Sequence, residues 1–347
     1  MPQGGIRTGS QSRVAKAQGG TPLREAIRYI DVFNGDADGL CALQQLRLAE
    51  PADSVLVTGV KRDIALLERV AAGAGDLVTV LDISLDTNRG ALARLLESGA
   101  RIRYFDHHFA GEIPIHPNCE VDIDPSPLMC TSALVDRHLD GRYRTWAAVA
   151  AFGDGLPTLG ERLAAQCGLS GPGTERLARL GECLNYNSYG ESVADLHQDP
   201  AQLAQALRPY RDPLEFVAHS PTYPRLREGF DEDMRRAASL RAEHETPTTA
   251  LFTLPDASWA RRVIGVFANR VAQENPGRAH AILSPNSGGG YTVSVRAPVA
   301  NPVGADALCR QFPSGGGRAA AAGINHLPKD DLPRFAAALD RHFSSGR

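Results

Sequence analysis

A chain of 347 residues, 43% hydrophobic and 22% charged, has room for two ordinary domains with buried cores. Its formal charge of −3 is a poor global field for gripping long DNA, whose binding draws on neutralising many phosphates. No apolar run approaches the roughly 20 residues needed to span a bilayer. The six cysteines form no C-x-x-C pair, so neither a zinc site nor a disulfide framework is expected, and a reducing cytoplasmic setting is.

In chain order, residues 1–24 are rich in Gly, Ser and Gln and carry no apolar block. They read as a disordered tail rather than a secretory signal. From residue 27 the pattern alternates. Strands are expected over 27–33, 54–60, 77–84 and 101–105, and helices over 40–50, 62–72 and 86–99. Apolar strands separated by amphipathic helices predict βαβ units and a buried parallel sheet, with the second and third strands inside it. Helices are expected over 131–141 and 143–155, then a mostly helical stretch to about residue 245. Within that stretch, 184-LNYNSYGES-192 suits a polar wall beside a site or a surface loop equally well. Beyond Pro247 come a strand (249–254), a helix (258–274), a hairpin (279–285 with 291–297), a short helix near 304–312, a glycine run and a terminal helix over 329–343. The expected architecture is α/β: a parallel-sheet domain over 25–195, a helical linker over 196–246 and a smaller α/β domain over 247–347.

Open parallel sheets bind ligands at the carboxyl ends of their strands. Asp36 and Asp38, in NGDADG, follow the first strand, Asp82 closes the third, and Asp106, His107 and His108 close the fourth; Asp154 sits between two glycines after a helix. Each has an ordinary explanation: Asp36 and Asp38 suit helix N-caps, and Gly-Asp-Gly is a common turn. Taken together, Asp36, Asp38, Asp82, His107 and Asp154 suit a pair of Mn²⁺ or Mg²⁺ ions, which favour oxygen ligands more than zinc does. Clustered carboxylates repel one another without cations, and two such ions activate water for phosphoryl transfer. In the C-terminal part, Gly315, Gly316 and Gly317 would let backbone N–H groups approach a phosphate, with Arg318 and Arg296 adding forked hydrogen bonds. A flexible turn with a solvated arginine is the plain alternative.

These motifs, NGDADG, DIS, DHH, GDG and SGGGRAAAAG, stand in the order of the DHH/DHHA1 phosphoesterase superfamily, which the chain resembles over about residues 27–343. The resemblance implies that Asp36 binds one metal and Asp38 the other, that Asp82 bridges them, and that His107 and Asp154 hold the second. It implies that Asp106 orients the histidines and that His108 meets the scissile phosphate. Arg296 and the glycine run would hold the far end of the substrate in an interdomain cleft. Two positions depart from the family pattern: Val32 stands where many relatives have a metal-binding histidine, and Arg318 where the GGGH signature has its histidine. The implied activity is hydrolysis of phosphate esters in short oligonucleotides or small nucleotides. Cleavage of inorganic polyphosphate and non-catalytic nucleotide sensing are the alternatives.

Overall fold

The structure, a computed structural model, describes residues 27–344; the expected N-terminal tail lies outside them. The first unit alternates strand and helix: β1 (Tyr29–Phe33), α1 (Ala37–Ala49), β2 (Ser54–Val57), β3 (Leu77–Leu81), α2 (Leu85–Glu97), β4 (Arg101–Asp106) and β5 (Cys119–Ile123). All five strands are parallel, in the order β2-β1-β3-β4-β5. The sheet has an apolar layer on each face, as buried parallel strands require. Phe33, Leu81 and Phe105 pack in the cluster that includes Leu40, Leu43 and Leu46 of α1, whereas Ile30, Val32, Val80 and Tyr104 pack with Leu92 and Leu95 of α2.

Three elements differ from the sequence expectation. The second strand is an edge strand rather than an interior one. The expected helix at 62–72 is a single 3₁₀ turn, Leu66–Arg69. Leu66 and Leu67 are adjacent and both fully buried. Asn88 meets the backbone hydrogen bonds there, donating to the Ile64 carbonyl (2.7 Å) and accepting from the Leu67 amide (3.2 Å). Finally, β5 adds an unexpected edge strand whose residues are only partly buried, so its alternation is weak in the sequence.

Helices follow: α3 (Thr131–His138), α4 (Arg144–Gly153), α5 (Pro157–Gln166), α6 (Pro172–Tyr186), α7 (Pro200–Leu207), α8 (Pro213–His219) and α9 (Thr222–Ala238). Proline opens α5 to α8, at the position where its missing N–H is not needed. The C-terminal unit comprises β6 (His244–Glu245), β7 (Thr249–Thr253), α10 (Ser258–Glu274), β8 (Ala279–Pro285), β9 (Tyr291–Arg296), α11 (Ala305–Cys309), β10 (Gly315–Gly317), β11 (Ala321–Leu327) and α12 (Leu332–Ser344). Its mixed sheet runs β10-β11-β9-β8-β7-β6. The glycine run is therefore strand β10, antiparallel to β11, rather than a loop. A Cβ on Gly315 would lie 1.9 Å from the Cys309 carbonyl oxygen, so this close approach of strand to α11 requires glycine.

Residues of α10, among them Val263, Ile264 and Phe267, share one apolar cluster with α4, α6 and α9. Among the described residues no helix is long and apolar enough to cross a membrane.

Candidate metal centre

The register of the parallel sheet assembles the site. Phe33, Leu81 and Phe105 are aligned neighbours on β1, β3 and β4. The residues one step on, Asn34, Asp82 and Asp106, therefore reach the carboxyl edge together. The amides of Asn34 and Asp82 extend the ladder by bonding to the Leu81 and Phe105 carbonyls. The chain order reverses between β1 and β3, the topological switch point at which open sheets hold ligands.

Asp36 is the N-cap of α1: its Oδ1 accepts from the amides of Asp38 (3.0 Å) and Gly39 (3.1 Å). Its Oδ2 takes the Lys61 ammonium. Asp38, in the first turn of α1, accepts from the amides of Thr131 and Ser132, each at 2.7 Å. Cys130 supplies no side-chain cap to α3, so Asp38 caps that helix from another element. Asp82 has φ of 59°, a left-handed conformation uncommon outside glycine, in keeping with strain held at a working residue.

His107 is the hub. Its Nδ1 lies 2.9 Å from the Met129 carbonyl, which fixes the proton there and leaves Nε2 facing the acids. Nε2 is 3.4 Å from Asp82 and 3.9 Å from both Asp38 and Asp154, the C-cap of α4. Asp106 is buried and takes Nδ1 of His108 at 2.7 Å, so it orients His108 alone, not both histidines.

Burial and repulsion set the electrostatics. Burial, with Asp154 and Asp36 nearby, pushes the Asp38 carboxyl up to about 6, against the pull of His107. Asp82 is pushed well above the carboxylate range by burial and by Asp36 and Asp38. Burial would do the same to Asp36, but Lys61 holds it down at about 2. Burial disfavours a charged His107, yet Asp82, Asp38 and Asp154 raise its pKa to about 10. The field that holds a proton on His107 is one that a divalent cation would answer in its place.

Asp36, Asp82, His107, His108 and Asp154 line a cavity of about 430 Å³ together with Asn34, Lys61 and Ser84. Arg318 faces the same cavity from the C-terminal unit. Arg296 does not: it bonds to Asn269 (2.6 Å) and Ser294 (3.0 Å) and borders a separate cavity with Ala297 and Ala320. Gly315, Gly316 and Gly317 are likewise off the acidic wall, in β10.

No protein-family profile matches the sequence, and no curated protein matches it. Solved structures do. The manganese-bound exonuclease RecJ superposes with a TM-score of 0.60 at 20% identity, over 94% of this chain and 92% of that one. RecJ from Thermus thermophilus, in complex with Mn²⁺, gives 0.59 at 18%, over 94% of this chain but 53% of that one. The chain has the RecJ fold. It spans about half the length of the Thermus protein. The pGpG-specific phosphodiesterase PggH from Vibrio cholerae shares the fold at a TM-score of 0.54 and 16% identity, over 92% of this chain and 100% of that one.

Against that fold, Lys61 is the residue that sequence reasoning missed. It follows β2 at the same sheet edge as the acids, and topology alone would have found it. Thr131 was missed too: its Oγ1 lies 3.3 Å from Asp82. The polar run after Leu184 is mostly internal. Tyr186, Asn187 and Ser188 are fully buried, and Asn185 reaches Lys61 at 3.3 Å.

Proposed function

We propose that this chain is a divalent-cation-dependent phosphoesterase acting on short oligonucleotides or small nucleotides. The observation that carries it is the gathering of Asp38, Asp82 and Asp154 around Nε2 of His107 at a RecJ-type sheet edge, in two overlapping groups, Asp38–His107–Asp154 and Asp82–His107–His108. Three carboxylates and an imidazole suit Mn²⁺ or Mg²⁺, and buried acids that repel one another fit a cation. Such an ion would supply Lewis acidity at a phosphoryl oxygen and lower the pKa of a water.

The chain's own residues position everything else. The Met129 carbonyl holds the His107 tautomer, and Asp106 holds His108 by Nδ1, leaving Nε2 of His108 for the phosphate. Arg318 is exposed, forms no ion pair among the described residues, and lies on the cavity wall, where it would grip a second phosphate or the nucleotide end. In this reading residues 25–195 carry the chemistry, 196–246 connect, and the unit from 247 onward presents the substrate. A cavity of about 430 Å³ suits a nucleotide-sized ligand, and a formal charge of −3 agrees with a short substrate rather than a long strand. Two of the fold's solved relatives, an exonuclease and a pGpG phosphodiesterase, are named for phosphodiester chemistry.

The test is Mn²⁺-dependent turnover of a panel: a 5′-phosphorylated dinucleotide, 3′-phosphoadenosine-5′-phosphate, a cyclic dinucleotide, single-stranded DNA and polyphosphate, with Asp82→Ala as control. Turnover of the dinucleotide that vanishes in Asp82→Ala is expected. Silence across the panel from Mn²⁺-loaded protein would overturn the proposal, and turnover of polyphosphate alone would move the site to phosphoanhydrides.

A further inference from the structure

The carboxylates of the centre are not equivalent. Asp38, Asp82 and Asp154 face His107, and Asp38 accepts from neutral amides, those of Thr131 and Ser132. Asp36 alone of the four hydrogen-bonds an ammonium, its Oδ1 taking the α1 amides and its Oδ2 Lys61. Lys61 is built in rather than lying across the acids by chance. Its backbone amide bonds to the Ser188 carbonyl (2.9 Å). Its ammonium lies 3.3 Å from Asn185 Oδ1, 3.9 Å from Asp154 and 5.9 Å from the centre of the Tyr189 ring. Nζ thus sits between Asp36 and Asp154, and the other oxygen of Asp154 lies 3.9 Å from Nε2 of His107.

Charge balance limits what else can enter. Asp36, Asp38, Asp82 and Asp154 set four carboxylates against one ammonium. One divalent cation leaves the centre with a single negative charge, whereas two would make it positive and place the second ion against the ammonium. The end of β1 offers no further charge: Val32 is buried in the apolar cluster with Val80 and Tyr104. Asn34, the residue after the strand, lines the cavity but is neutral, and its amide oxygen is buried without a hydrogen-bond partner.

We infer that this centre takes one divalent cation, at Asp38, His107 and Asp154, and that Lys61 is a fixed cation standing where a second metal ion would sit beside Asp36. The inference rests on the metal-centre reading above and departs from the pair of ions that the sequence motifs suggest. Lys61 neutralises Asp36 permanently, so occupancy of that half does not depend on metal concentration.

The experiment is Mn²⁺ binding to the full chain by equilibrium dialysis, with electron paramagnetic resonance of the loaded protein. One ion per chain is expected, with the hyperfine pattern of an isolated Mn²⁺. In Lys61→Ala, which vacates the ammonium's place, the count should rise from one to two at saturating Mn²⁺, and the spectrum should become that of an exchange-coupled pair. Two ions or a coupled spectrum in the unaltered protein overturns the inference, as does a folded Lys61→Ala that still holds one. If Lys61→Ala does not fold, the spectrum of the unaltered protein decides alone. No bound Mn²⁺ at all would overturn the metal-centre reading beneath it.

Discussion

His107 and His108 are sequence neighbours with different anchors, and that difference is testable. His107 is held by the Met129 carbonyl and His108 by Asp106. Asp106→Asn keeps the shape of the buried side chain but removes the carboxylate that orients His108. We expect kcat to fall about 10–100-fold, the scale of losing a partner that orients a site histidine, with Mn²⁺ affinity unchanged. Loss of Mn²⁺ affinity in a calorimetric titration would instead tie Asp106 to the cation. Residue types and strand-end placement were legible in the sequence at this scale: Asp36, Asp38, Asp82, His107 and Asp154 do meet. What each acid bonds to was not legible, because those partners come from distant segments. Asp38 bonds amides of Thr131 and Ser132, and Asp36 bonds Lys61. The ordinary reading of Asp36 as a helix cap also holds, so one carboxylate both caps α1 and borders the cavity.

Among elements, α10 is fastened to the helical segment by a polar network inside an otherwise apolar contact. Arg262 donates to Asp233 (2.8 Å), to the Tyr186 hydroxyl (3.1 Å) and to the Asp195 carbonyl, while Arg261 and Ser258 bond the Asp195 carboxylate. Burial works against both acids, yet Arg261, Ser258 and the Glu191 amide lower the pKa of Asp195. His197, Tyr186 and Arg262 do the same for Asp233. Carboxyls with depressed folded-state pKa values stabilise the fold above the ordinary Asp value of about 4, and that contribution is lost as pH falls through the depressed values. Arg262→Met strands a buried Asp233 and should cost about 3 kcal/mol at neutral pH. The penalty should shrink as Asp233 becomes protonated in acid. Urea titrations at pH 7 and in the acid range would check this; a loss independent of pH would assign the effect to packing. None of this network was visible beforehand, since His197 and Asp233 belong to no motif. The helical character of this stretch was visible, because 3.6-residue periodicity is a local signal, but the division of the stretch into separate helices was not. The two edge strands and the 3₁₀ turn were misread because partial burial blurs alternation and adjacent buried leucines imitate a helix.

At the scale of the whole molecule, Arg318 is, among the described residues, the one beyond Leu156 on the wall of the acidic cavity, so the two units meet at the candidate site through this side chain. The family pattern had pointed to Arg296 as well, but a strand-end arginine can be spent on structure. Arg296 bonds to Asn269, Ser294 and the Val295 and Gly265 carbonyls, and its pKa is lowered by burial. The two arginines therefore predict different kinetics. Losing a charge-assisted contact to the substrate's phosphate removes about 1.5–3 kcal/mol. Arg318→Ala should accordingly raise KM about 10–100-fold while kcat changes little, as expected for a group that binds ground state and transition state alike. Arg296→Ala should leave KM within about 2-fold and lower the unfolding midpoint instead, because it uncovers hydrogen-bond acceptors packed between α10 and β9. Steady-state kinetics beside a denaturation curve for each variant separates the cases. A KM defect in Arg296→Ala with normal kinetics in Arg318→Ala would move the substrate's far end from the acidic cavity to the one bordered by Ala297 and Ala320, and the orientation of substrate across the cleft would turn with it.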